Sequence, residues 1–306
     1  MAGIYVHIPF CRSKCFYCGF YSVASLRGKE EYLRALCREM ELRRGYLPAG
    51  APVETLYFGG GTPSFLDEKE MEVIVRKLEG VWDLSGYTER SLEVNPEDAT
   101  PAKLEAWRQL GFNRLTIGVQ SFDDAVLKRI NRTHTGAGAV AAVEWAMACG
   151  FENIGIDLII GLPGSTLQDV RRDVEVAGKL GVAHVSVYIL SIDSHSVFEK
   201  LSEKGRFKPQ ADDDLAEQYM LVSELLKNDG YEHYEISNFA NRSMYSKHNT
   251  SYWQQKPYIG LGAAAHSYDG NSRQWNVSHI GKYIESLNND MLNFEKEVLS
   301  DRDKYN

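Results

Sequence analysis

Three cysteines within eight residues, Cys11, Cys15 and Cys18 in a C-x3-C-x2-C run, constrain this chain more than any other feature. They follow an apolar strand, Ile4-Tyr5-Val6-His7-Ile8, and account for three of only five cysteines in 306 residues. Such clustering points to a bound metal or cluster. A structural zinc site wants four ligands, commonly as two C-x2-4-C pairs; His7 is available as an extra ligand, but no second pair follows, which makes zinc the weaker option. Disulfide pairing is weaker still, because five cysteines leave one unpaired and no secretory leader opens the chain. An iron-sulfur cluster fits best, since thiolates are its usual ligands. Three thiolates on a four-iron cubane leave one iron open to a small molecule, and an open position is where a metal site does chemistry.

The run resembles the signature of the radical S-adenosylmethionine (SAM) superfamily, CxxxCxxC with an aromatic residue, here Tyr17, before the last cysteine. The resemblance implies a [4Fe-4S] cluster on Cys11, Cys15 and Cys18, with SAM chelating the open iron through its amine and carboxylate.

The remaining sequence reads as βα repeats. Strands are expected near Ile4, Val53, Ser91, Asn113, Phe151 and His184, with helices between them. Helices are expected to stop at Gly111, Gly150, Gly181 and Gly230, each followed directly by a strand, the pattern of a parallel sheet. Thr100 before Pro101 reads as a helix start, as does Ser165. Six units are too few for a closed eight-stranded barrel. They fit the partial (β/α)6 TIM-like barrel that the resemblance implies, over residues 1–230, with 231–306 as a C-terminal segment packed on it. Cys37 lies on a helical apolar stripe and Cys149 at a helix end, so both read as structural.

In such a barrel the active site lies at the carboxyl ends of the strands. The chemically distinctive residues fall there: the cysteine loop after the first strand, Gly59-Gly60-Gly61-Thr62-Pro63 after the second, Glu93 and Asn95 at the third, Gln120 at the fourth, Asp157 at the fifth and Tyr188 at the sixth. Singly, each has a plain reading as a turn or a cap; their common placement is what points to a ligand. Glycines permit close backbone approach to the methionine moiety. Glu93 is suited to ribose hydroxyls or the cationic end, Arg132 to the carboxylate, and Gln120 and Asp157 to further hydroxyl contacts.

A narrower resemblance spans nearly the whole chain. It rests on Ile4 to Cys11, Gly59 to Pro63, Leu92 to Pro96, Gly118 to Phe122 and Asp157 to Pro163. The chain is similar here to the family of the oxygen-independent coproporphyrinogen III oxidase and the heme chaperone HemW. Carried over by motif, the SAM contacts fall on Tyr5, Tyr17, Gly60, Gly61, Thr62, Glu93, Gln120, Arg132 and Asp157. The oxidase has a further cysteine two positions after the third, where this chain has Phe20, and an extension before the first strand. His248-Asn249-x-x-Tyr252-Trp253 is similar to the HNxxYW motif of the chaperone group. The resemblance therefore implies a heme chaperone, with heme as cargo and an acceptor protein at a membrane. The other branch is an enzyme that oxidatively decarboxylates coproporphyrinogen III through a radical derived from SAM. For heme contacts His248 is the candidate, an imidazole beside two aromatics; His266, in a small-residue loop, could serve heme or line the SAM pocket. Without a structure, the plainer reading of the motif is a polar turn with Tyr252 and Trp253 in a satellite core. Family members continue into a small helical domain, so the chain looks truncated after its charged end.

A net charge of -8, with no basic cluster, argues against nucleic acid. No apolar run is long enough to span a bilayer, and cysteine usage suits the cytoplasm.

Overall fold

The computed structural model describes residues 2–48, 50–194 and 196–305. Six parallel strands follow in sequence order: β1 (Ala2–Ile8), β2 (Val53–Gly60), β3 (Glu89–Val94), β4 (Arg114–Gln120), β5 (Asn153–Ile160) and β6 (His184–Ile189). The helices between them are α1 (Lys29–Leu42), α2 (Glu68–Val81), α3 (Pro101–Gln109), α4 (Asp124–Arg129), α5 (Gly136–Ala148) and α6 (Leu167–Leu180). Each strand is two-sided. Ile4, Val6, Leu56, Phe58, Leu115, Ile117, Ile154, Ile156, Val185 and Val187 are buried in one apolar core beneath the helices, each contributing roughly 1.5–3 kcal/mol by leaving water. With stability supplied from that side, the alternate positions can be polar. They are Thr55, Tyr57, Ser91, Glu93, Thr116, Asp157, His184 and Ser186, which face the lumen of an open barrel.

The predicted helix stops at Gly111, Gly150, Gly181 and Gly230 all have positive φ, between 64° and 87°, the left-handed conformation that glycine adopts without penalty. One local expectation changes. The cap of α6 is Thr166 rather than Ser165, because it is the Thr166 hydroxyl that accepts from Asp169 N, in a capping box with the Asp169 carboxylate. The short strand after Gly230 pairs antiparallel rather than joining the parallel pattern, and the count of six parallel βα strands stands.

The chain continues through α7 (Val197–Glu203), α8 (Asp212–Asn228), β7 (Glu232–His233), β8 (Asn238–Ala240), α9 (Lys247–Trp253), β9 (Tyr258–Leu261), β10 (His266–Tyr268), β11 (Ser272–Asn276), α10 (Ile280–Asn288), β12 (Phe294–Val298) and α11 (Asp301–Tyr305). β8 pairs antiparallel with β6, and β7 with β8; β9 lies parallel to β1, with β10, β11 and β12 following it in the same sheet. A buried knot ties this region to the barrel. Glu39 of α1 pairs with Arg43 at 3.1 Å and accepts from Asn276 Nδ2, Gly262 N and Tyr283 Oη at 2.6–2.7 Å.

α9 closes the amino-terminal end of the barrel. Its first amides, Lys247 N and His248 N, donate to the two carboxylate oxygens of Glu89, the first residue of β3, at 2.8 and 3.0 Å. A carboxylate is favoured at that end of a helix.

Candidate functional site

At the opposite, carboxyl end of the strands lies a cavity of about 380 Å³, within the range of small-molecule sites. The cysteine loop forms one wall. It is pinned by Cys11 N to Val23 O at 3.0 Å, Phe16 N to Ile130 O at 3.1 Å and Asn131 Nδ2 to Lys14 O at 2.9 Å. Cys11, Cys15 and Cys18 all line the cavity and carry free thiols. Thr62 Oγ1 donates to Cys11 Sγ at 3.4 Å, and Arg132 Nη1 to Cys15 Sγ at 3.6 Å. Burial pushes the Cys18 thiol up to about 11, with the neighbouring cysteines adding to the effect. A cationic metal core reverses that preference, since metal ligation deprotonates thiols.

Glu93 and Asp157 stand on adjacent parts of the wall. Glu93 accepts from Tyr57 Oη at 2.9 Å and from Gly60 N at 3.1 Å. Its burial is the larger influence and raises its pKa to about 7, with the Asp157 carboxylate also raising it and the two hydrogen bonds opposing. Asp157 is raised to about 6, again mainly by burial, against a hydrogen bond from Ser186. Its Oδ1 is buried without a hydrogen-bond partner, a costly state that a ligand hydroxyl or amine would relieve. Arg132 reaches Asn95 Oδ1 at 3.0 Å and the Gly118 carbonyl, leaving its buried Nε without an acceptor. Gln120 lines the cavity in the left-handed region, φ 68°, at a β-bulge between β4 and β5.

Of the residues singled out in the sequence, Tyr17, Gly60, Gly61, Thr62, Glu93, Gln120, Arg132 and Asp157 meet the three cysteines on this one cavity. The glycines differ in physical role from the expectation. A Cβ on Gly60 would sit 2.5 Å from the His7 ring and one on Gly61 2.8 Å from Ile8 O, so the chain itself fills the vacated space. Tyr5 does not line the cavity. It lies beneath the wall, bonded to His7 Nδ1 at 3.1 Å and stacked on Tyr57.

The two histidines expected to meet heme are elsewhere. His248 is fully buried in α9 at the far end of the barrel. Its Nδ1 meets Thr55 Oγ1 and its Nε2 meets Tyr252 Oη, both at 2.8 Å, and its ring stacks on Tyr57 with centroids 5.1 Å apart. Burial lowers its pKa to about 3. With both nitrogens engaged, it offers nothing to iron. His266 lies outside the cavity on β10, its exposed imidazole stacked on Trp275 at 5.9 Å.

Tyr57 is hidden in an apolar strand, and its place two residues before Gly59, in the lumen phase with Thr55, is the only sequence signal of its role. Asn131 and Asp193 lie on loops that reach the cavity only through the fold.

Residues 5–177 match the radical SAM superfamily. The chain is 40% identical over 294 residues to the heme chaperone HemW of Bacillus subtilis, covering 94% of this chain and 76% of that protein. To the heme chaperone HemW of Escherichia coli it is 33% identical, covering 86% and 69%. Among solved structures, the coproporphyrinogen III oxidase HemN of Escherichia coli, a radical SAM enzyme, superposes with a TM-score of 0.85 over 99% of this chain and 73% of that one. At 23% identity, that likeness establishes the fold alone.

Proposed function

Because this chain belongs to the radical SAM superfamily and, within it, to the heme chaperone HemW family, we propose that it is a heme chaperone, binding heme and passing it to acceptor proteins. It carries a [4Fe-4S] cluster and SAM. One observation carries the assignment of the cavity to these groups. The three thiols and the unpartnered Asp157 Oδ1 share a single cavity with Glu93 and Arg132. In this reading Cys11, Cys15 and Cys18 hold the cluster, with Arg132 beside Cys15 offsetting its negative charge. Glu93, Gln120 and Asp157 accept from the hydroxyl and amine groups of SAM, while Tyr17, Gly60, Gly61 and Thr62 complete the wall. When bound, the cluster supplies an open iron for chelation by SAM and a one-electron reductant. The barrel 1–230 and the segment 231–306 act as one unit, joined by the β1–β9 pairing and the Glu39 knot.

The oxidase reading is disfavoured by Phe20, which stands where the oxidase has its additional cysteine. The chain works from the cytoplasm, where its thiols stay reduced, and delivers to an acceptor at a membrane. No helix among the described residues is long and apolar enough to cross one.

Anaerobic reconstitution tests the cofactor assignment. A brown protein whose iron is lost in Cys15→Ala, and whose SAM binding is weakened about tenfold or more in Asp157→Ala, is the expected result. A colourless protein holding one zinc contradicts it.

A further inference from the structure

If the chain carries heme and His248 cannot ligate it, the heme must be held somewhere else. His7 is equally closed, with Nδ1 on Tyr5 Oη and Nε2 on Tyr21 O. No imidazole lines the cavity among the described residues. His266, the exposed imidazole on β10, lies outside the cavity, so at the cavity itself a flat macrocycle with two carboxylates on one edge would be held by apolar contact and charge.

The cavity mouth has both. Phe20 is 70% exposed, Ile189 47% and Tyr188 42%, and all three line the same cavity. Their exposure has a structural cause. β6 runs past its neighbour, because β8 pairs only as far as Ser186, leaving the end of β6 bare. Tyr188 turns its hydroxyl inward toward Ser186 and Asp157, so that its exposed part is ring. The last backbone bond on this edge is Val187 N to Ser237 O at 2.7 Å. Adjoining exposed apolar side chains of this size mark an interaction surface.

Charge selects the occupant. Lys14 lines the same cavity as Phe20, Tyr188 and Ile189, so a cation and three apolar side chains share one wall. Lys14 forms no ion pair among the described residues, whereas Arg12 beside it is already paired with Asp98 at 2.7 Å. The Asp193 carboxylate accepts from Ser191 at 2.8 Å and remains an anion on the same wall, packed against Gly19, so propionates are favoured only on the Lys14 side.

We propose that heme docks flat on this rim, its ring against Phe20, Tyr188 and Ile189 and its propionates toward Lys14, with the SAM cavity beneath as the floor. The proposal rests on the reading of the chain as a heme binder. It moves the cargo to the end of the barrel opposite the HNxxYW motif.

The test is a heme titration of the reconstituted protein, followed by absorbance, with wild type, Phe20→Glu, Ile189→Glu, Lys14→Glu and His248→Ala. Because Phe20 and Ile189 are exposed, their variants should keep the wild-type iron content and melting temperature. We expect heme affinity to fall by roughly tenfold or more in Phe20→Glu and Ile189→Glu and by severalfold in Lys14→Glu, with SAM affinity falling less. The folded fraction of His248→Ala should bind heme as wild type does. Wild-type heme affinity in the rim variants would overturn the proposed site, as would a heme spectrum that changes only in His248→Ala. A wild-type protein that binds no heme would overturn the functional reading itself.

Discussion

Tyr57 Oη donates to Glu93 Oε1 at 2.9 Å while the same ring stacks on His248. One aromatic side chain thus joins the plug at the bottom of the barrel to the cavity at its top. Tyr57→Phe keeps the stack and removes the hydrogen bond to the carboxylate. That bond lowers the Glu93 pKa against a larger increase from burial, so the variant should titrate above wild type. If the Glu93 carboxylate accepts from SAM, wild-type binding weakens as pH falls through about 7. In Tyr57→Phe the weakening begins at higher pH. A pH series of SAM titrations on both proteins reads the shift directly; coincident profiles would refute the link.

Glu93 should also cost stability. Its folded pKa lies above the ordinary carboxylate value, so the folded state binds more protons than the unfolded state between about 4.5 and 7. Its contribution to stability is therefore present at low pH and lost as pH rises through about 7. Glu93→Gln should be more stable than wild type at pH 8, by up to about 3 kcal/mol, and the two should converge toward pH 4. The same variant should lose SAM affinity. Urea unfolding at several pH values measures the first effect, and an equal difference at every pH would contradict it.

His248 is predicted to matter for folding. His248→Ala removes a fully buried ring and both of its hydrogen bonds, leaving Thr55 and Tyr252 unsatisfied. The loss should be about 2–4 kcal/mol, read as a lower urea midpoint. The iron content of the folded fraction should be unchanged.

Cys37 and Cys149 do not line the cavity. The double variant Cys37→Ala/Cys149→Ala should therefore retain the iron of wild type after reconstitution, whereas Cys18→Ala should not. Iron loss in the double variant would contradict the three-thiolate assignment.

What could be read from sequence was local or periodic. The six strands announced themselves by apolar alternation and the helix stops by glycine, because both depend on a few neighbouring residues. The convergence of Glu93, Gln120 and Asp157 followed from one rule about strand ends. The place of His248 did not, since its partner Thr55 lies 193 residues earlier. A His-Asn turn beside two aromatics reads the same whether it faces a cargo or plugs a barrel. Tyr57 was invisible for a related reason: in an apolar strand, only the lumen phase distinguishes it. Ser165 and Thr166 are chemically alike as caps, and only geometry decides which hydroxyl meets the Asp169 amide.

The central claim is that this chain carries heme rather than making its precursor. The direct measurement incubates the reconstituted protein, under anaerobic conditions with SAM and a reductant, first with coproporphyrinogen III and then, heme-loaded, with a heme-free acceptor protein. The account predicts no decarboxylated product and transfer of heme to the acceptor. Decarboxylation of coproporphyrinogen III, with no heme delivered, would contradict it.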